Sequence, residues 1–111
     1  MRNERQIINE NHCHVASLLQ NIDSHDWLLR KTVAEKLGEY KNIQGVFSSL
    51  EKLTQDSDRF VRKSALLSIS KFDNEKVIIQ ALKILQNAML NDTETDIRLI
   101  ASDLFGQLSQ K

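Results

Sequence analysis

The sequence lacks the residues on which several structural classes depend. It has no proline, three glycines and one cysteine in 111 residues, and aromatic residues make up only 5%. Tight β-hairpins rely on glycine at positive φ, so the scarcity of glycine disfavours a fold rich in hairpins. One cysteine cannot form an internal disulfide or a zinc site built from several cysteines. These absences favour helices joined by short polar turns.

An excess of one charge and a long apolar run are also missing. The 15 Lys and Arg balance 15 Asp and Glu, giving a formal net charge of zero. Because phosphate binding needs a positive excess, this balance argues against a nucleic-acid binder. Apolar runs reach four residues or fewer, and the N-terminus lacks the apolar core of a signal peptide. We therefore expect a single domain over 1–111 in the cytoplasm, with no membrane contact.

Apolar residues recur at the spacing of amphipathic helices, and clusters of Asp, Asn and Ser separate the apolar stripes. Such side chains accept hydrogen bonds from the first backbone N–H groups of a helix. The clusters predict six helices, at residues 4–21, 26–40, 43–55, 58–72, 74–90 and 94–109.

Three arginines mark an internal repeat. Arg30, Arg62 and Arg98 follow one another at spacings of 32 and 36 residues. Two predicted helices per unit at this period are typical of an α-solenoid, in which each helical hairpin stacks on the next. The sequence thus predicts an all-α fold, an α-solenoid of about six antiparallel helices forming three stacked helical hairpins. Its parts are an N-terminal helix 4–21, repeat one 26–55, repeat two 58–90 and a C-terminal half repeat 94–109.

The segment from Asp56 to Ala65, with the pattern Asp-x-Asp-x-x-Val-Arg-x-x-Ala, resembles the HEAT-like repeats of the bilin-lyase type. The resemblance covers about residues 23–109. It implies an arginine that reaches the acidic turn of an adjacent repeat, and second helices that line a concave face. It does not specify a function, because this fold is reused widely.

All three arginines follow an acidic residue by four positions: Asp26, Asp58 and Glu94. Asp26 with Arg30, and Asp58 with Arg62, have the spacing and the acid-first order that favour an ion pair on a helix. We predict a structural acid–arginine ladder of Asp26, Arg30, Asp58, Arg62 and Arg98. An anion site is the alternative, but recurrence once per repeat favours the structural role.

Polar residues recur at matched positions on the two predicted second helices. The first set is Gln44, Ser48, Glu51 and Gln55. The second set, 32 residues later, is Lys76, Gln80, Lys83 and Asn87. Since the resemblance places second helices on the concave face, this stripe is the predicted partner-binding surface, with a merely solvated helix face as the alternative.

Metal and catalytic chemistry have little support. His12, Cys13 and His14 suggest a metal, but helix residues two apart point about 200° apart, so the two histidines cannot share an ion. The sequence has no phosphate-binding loop, nucleophile elbow or helical zinc motif. We predict no metal, no cofactor and no enzymatic activity.

Two apolar features leave alternatives open. Trp27 either packs against the preceding helix or is an exposed anchor for a partner. The fifth predicted helix is apolar over most of its circumference, so either the last helix covers it or it presents a patch that binds a partner. We expect either that the C-terminal helices associate with another protein or with a second copy, or that the chain is a piece of a longer repeat array.

These observations favour a non-enzymatic scaffold or adaptor that binds another protein through a preformed curved surface. The bilin-lyase resemblance implies one alternative, an accessory subunit or chaperone-like helper of an enzyme. Basic residues on the second and fourth predicted helices support another, a weak nucleic-acid-binding module.

Overall fold

A computed structural model describes residues 14–111 of the chain. Helix α1 covers residues 14–19 of the described part. The helices that follow are α2 Trp27–Leu37, α3 Val46–Leu53, α4 Arg59–Ile69, α5 Glu75–Asn91 and α6 Thr95–Leu108. Residues 14–111 contain no strand, and the predicted all-α fold class is confirmed. Most of the predicted N-terminal helix 4–21, with His12 and Cys13, lies outside the described residues.

Three of the polar clusters between the apolar stripes cap the helices that follow them, α2, α4 and α5, whereas the N-cap of α6, Glu94, makes no side-chain capping bond. A carboxylate oxygen of Asp26 accepts a hydrogen bond from the Leu28 N–H at 3.0 Å, and Asp58 accepts one from the Phe60 N–H at 2.8 Å. Asn74 caps α5 in the same way. Each cap has extended backbone angles, so the helix begins at the next residue rather than at the cap.

The first helices of the repeats form one layer. Helix α2 packs on α4, and α4 packs on α6, while α3 packs against α2 and α4 and α5 packs along α6. Buried apolar side chains from all of these helices form one core. Because each unit covers the apolar face of its neighbour, the core continues from one repeat to the next.

Gly38 allows a close approach between the end of α2 and helix α4. A Cβ at Gly38 would stand 2.7 Å from the Ser68 Oγ and 3.2 Å from the Ser68 Cα. The Ser68 hydroxyl is buried and donates to the Ala34 carbonyl at 2.6 Å. A residue larger than glycine would push the two helices apart.

Gly45 sets the direction of α3. Its φ is +91°, in the left-handed region that glycine adopts without steric cost, and it immediately precedes the helix. In a chain without proline, this residue turns the backbone between α2 and α3.

Helix α5 is only partly covered by its neighbours. Ala81 and Leu85 are fully buried, and α6 packs along this side of the helix. Ile79 and Leu90, on the same helix, are 63% and 64% exposed. The last helix therefore covers one side of α5 and another side is exposed, while partner binding through that exposed side stays a prediction.

Candidate binding groove and arginine ladder

Part of the predicted polar stripe forms a groove between α3 and α5. The groove has a volume of about 300 Å³. We call it the polar groove, and the residues that line it are Glu51, Thr54, Gln55, Gln80, Lys83, Ile84 and Asn87. The structure thus brings together five of the eight predicted binding residues, from matched positions of two successive repeats.

The other three predicted residues lie elsewhere. Gln44 precedes α3 and lines a separate depression near the start of α5. The Ser48 hydroxyl donates to the Gly45 carbonyl at 3.2 Å, within its own helix turn. Lys76 is exposed in the first turn of α5, outside the polar groove.

The polar groove is rich in side-chain amides. Gln55, Gln80 and Asn87 are exposed, and an amide offers both a hydrogen-bond donor and an acceptor. Glu51 and Lys83 supply one charge of each sign and form no ion pair within residues 14–111. The groove can therefore bind neutral polar groups without strong preference for a charged ligand.

Sequence reasoning missed a second, larger cavity beside the first repeat loop. It encloses about 600 Å³ and shares Gln55 with the polar groove. Asp23 and Lys52, on opposite sides of its wall, form an exposed ion pair at 2.7 Å. Because Asp23 and Lys52 are 29 positions apart, no local pattern reveals the pairing.

Two of the three ladder arginines bind carboxylates of the following repeat loop. Arg30 donates from Nε and Nη2 to the two oxygens of Asp56, at 2.8 and 3.1 Å. Arg62 makes the same two-pronged contact with Asp92, at 2.9 and 3.1 Å. Each such pair, here called a rung, ties one repeat to the next with the paired geometry that guanidinium and carboxylate favour.

The local pairing predicted from the four-residue spacing is not formed. Asp26 and Asp58 use their carboxylates to cap α2 and α4, and neither forms an ion pair in the described residues. A cap at the helix start faces the N–H groups of its own first turn, whereas the arginine one turn later points toward the next loop. The acids of the ladder are therefore Asp56 and Asp92.

Hydrogen bonding shifts the ionisation of the rungs. The hydrogen bonds to Asp56 and Asp92 raise the pKa values of Arg30 and Arg62, outweighing the opposing effect of burial. For Asp92, burial favours the neutral acid, but the hydrogen bonds from Arg62 and the Glu94 N–H outweigh it and lower its pKa. Both partners of the second rung are thus held in their charged forms.

Trp27 stacks on a residue of the following repeat. Its ring lies 5.7 Å from that of Phe60, between centroids, and its side chain remains 43% exposed. The guanidinium of Arg59 lies 5.6 Å from the Phe60 ring centroid and also binds Asp96 of α6 at 3.2 Å. This exposed strip connects the first turns of α2, α4 and α6.

Residues 14–111 contain neither a metal-binding cluster nor a membrane-spanning helix. Within that range, no three His, Cys, Asp or Glu side chains cluster as ion ligands would. None of the helices of the described part combines the length and the apolar character needed to cross a membrane.

The comparisons with known proteins identify a repeat type. The family model for HEAT repeats matches residues 15–104, which is most of the chain. That description does not specify the bilin-lyase subtype. None of the curated proteins matches the chain.

Proposed function

Because this chain belongs to the HEAT repeat family, we propose that it is a protein-binding scaffold that holds a partner polypeptide in the polar groove. HEAT repeats commonly mediate protein–protein interactions, and the family is generally of a non-catalytic scaffold type. One observation carries the proposal: polar residues from matched positions of two repeats line the same groove.

The chemistry of the groove suits a polypeptide with little net charge. Gln55, Gln80 and Asn87 can pair with both the N–H and the C=O groups of a peptide backbone. Glu51 and Lys83 balance each other in charge, so we expect binding to depend only weakly on salt. A preformed groove on packed helices also loses little conformational entropy on binding.

Charge reversal in the groove tests this proposal. The double variant Gln80→Glu and Lys83→Glu changes the groove charge and removes amide and ammonium donors. In an affinity capture from the source cell, read by quantitative mass spectrometry, we expect the partner recovered with wild type to fall by about tenfold or more, the equivalent of 1.4 kcal/mol. The matched control is Gln20→Glu and Lys36→Glu, two exposed residues outside the groove that change the net charge equally.

A partner retained by the groove variant, or lost equally from the control, would place binding elsewhere on the molecule. Binding of the purified protein to duplex DNA that weakens with added salt would support the nucleic-acid alternative instead. The cytoplasmic location and self-association through the C-terminal helices remain predictions within this proposal, the latter through the exposed Ile79 and Leu90 of α5. Light scattering that detects only monomer at high concentration would remove the self-association.

A further inference from the structure

Arg98 is held like the other two ladder arginines, yet the described residues provide no matching carboxylate. In all three, Nη1 donates to the carbonyl six residues earlier, at 2.7 Å for Arg30, 3.0 Å for Arg62 and 2.6 Å for Arg98. Arg30 and Arg62 then bind aspartates 26 and 30 residues further along the chain. Arg98 donates from Nη2 to the Thr95 hydroxyl at 2.9 Å, and no carboxylate among residues 14–111 pairs with it. Its guanidinium is oriented for a rung that this part of the chain does not complete.

The helix surface beside Arg98 has the shape of a packing face. Gly106 stands eight residues after Arg98, as Gly38 stands eight residues after Arg30. At Gly38 the small residue is required because α4 lies against it, whereas a Cβ at Gly106 would meet no atom within 4 Å. Glycine weakens a helix relative to alanine, and within α2–α6 nothing compensates for this at Gly106.

The same face of α6 also exposes an apolar side chain. Leu99 is 65% exposed, the largest exposure among the large apolar residues of the described part. With Ser102, Asp103 and Gly106, all exposed, it forms a continuous surface here called the outer face of α6. Positively charged Arg98 lies at the edge of this face, where the rung geometry calls for an aspartate from the next loop.

We propose that the outer face of α6 docks a helical repeat of a partner protein, whose loop presents an aspartate to Arg98 and whose following helix packs over Gly106. The site lies on a different surface from the polar groove. Changes in the groove should therefore leave it unaffected, and the two proposals can fail separately.

Ser24 argues against a second copy of this chain as the occupant. Ser24, Asp56 and Asp92 each stand six residues before a ladder arginine. The Ser24 hydroxyl accepts a hydrogen bond from the Asp26 N–H at 3.1 Å, just as Asp56 accepts one from the Asp58 N–H at 2.9 Å. Ser24 thus occupies the ladder position but has no carboxylate. A copy stacked head to tail would therefore present Arg98 with a hydroxyl instead of a carboxylate at the ladder position, whereas a partner with an aspartate there would complete the rung.

This substitution provides the experiment. The donor is the full chain with Ser24→Asp and Arg98→Gln, which carries the ladder acid but cannot stack on itself through Arg98. The acceptor is wild type, and sedimentation velocity measures their association. We expect the donor to bind about tenfold or more tightly than a matched donor carrying Arg98→Gln alone, since a hydrogen-bonded charge pair is worth at least this factor.

Two acceptor variants test the face itself. Arg98→Lys keeps the charge but loses the planar fork, and Gly106→Leu fills the packing surface. We expect each to abolish the gain in affinity, with circular dichroism melting to show that the variants fold. Arg98 is partly exposed at the edge of the outer face. If Gly106→Leu fails to fold, Arg98→Lys alone still tests the proposal.

Three results would overturn the proposal. One is a donor with Ser24→Asp that binds no more tightly than its matched control. Another is an affinity gain that survives Arg98→Lys in the acceptor. The third is wild-type chains that already associate head to tail through Arg98, which would assign the face to a second copy.

Discussion

The interface between α4 and α6, here called a joint, and the outer face of α6 place matched positions of the repeat in two different environments. At the joint, Arg62 is paired with Asp92 and both side chains are almost covered, at 14% and 7% exposure. On the outer face, Arg98 has the same backbone contact but no carboxylate in the described residues. The repeated motif therefore does not determine how much a residue stabilises the protein. The neighbouring repeat determines it.

Removing the arginine should show the largest contrast between the two environments. Arg62→Gln leaves the covered Asp92 without its counter-charge, and we expect a loss of about 2 to 4 kcal/mol in the free energy of unfolding. Arg98→Gln removes hydrogen bonds from a partly exposed side chain, at a cost of about 1 kcal/mol. Urea unfolding followed by circular dichroism measures both. If the two variants lose the same free energy of unfolding, pairing with Asp92 does not make Arg62 more stabilising than Arg98.

Acidification should weaken the closed rung in a defined range. The pKa of folded Asp92 lies below its ordinary value of 3.8, so the unfolded state binds the proton more tightly. The rung's stabilisation is thus complete above the unfolded pKa and is lost as pH falls through the folded pKa. We expect Asp92→Asn to be about 1.5 to 3 kcal/mol less stable than wild type at neutral pH. This gap should shrink below about pH 4.

Asp103→Asn is the control for this titration, because Asp103 is exposed on the outer face of α6 and forms no ion pair in the described residues. Its stability difference from wild type should be small throughout. A gap for Asp92→Asn that stays constant with pH would contradict the role of the ionised carboxylate.

The two matched glycines should respond to alanine in opposite directions. Gly38→Ala places a Cβ against Ser68, and we expect a loss of about 1 to 3 kcal/mol from overpacking. Gly106→Ala has open space and should stabilise α6 by about 0.5 to 1 kcal/mol. Thermal unfolding of the two variants gives the sign directly. A destabilised Gly106→Ala would show that something already covers that face in the isolated protein.

The smallest contrast should appear on the exposed strip across the first turns. A double-mutant cycle on Trp27 and Phe60 should give a coupling of about 0.5 to 1.5 kcal/mol, and one on Arg59 and Asp96 about 0.2 to 1 kcal/mol. In about 1 M salt only the ionic coupling should fall, because screening acts on charges. Equal salt sensitivity of the two couplings would contradict the division into one aromatic contact and one ionic contact.

The fold was predictable because the repeat is visible in short patterns of nearby residues. The recurring arginines and the apolar spacing indicated stacked helical pairs, and the polar clusters placed the starts of α2, α4, α5 and α6 to within one residue. Helix ends were less accurate: α2 ends at Leu37 and α4 at Ile69, three residues before the predicted ends. There the chain continues through hydrogen-bonded turns, which look helical in an apolar pattern.

The ladder and the groove were only partly predictable. The acid four residues before Arg62 is visible in sequence, but Asp58 is occupied as a cap, and the true partner is 30 residues away. In the groove, the stripe of α5 continues to Lys76, about 10 Å along the helix from Lys83. The groove does not extend that far. Tertiary packing decides both outcomes.

The short span of the rungs has a consequence for folding speed. Each rung closes a loop of 26 or 30 residues, so the entropic cost of closing the second exceeds that of the first by only about 0.1 kcal/mol. Pairings between distant parts of a chain slow folding, and the ladder requires none. A chain built on such rungs can nucleate at either joint and extend from it, so its folding rate should be set by one pair of repeats rather than by its length.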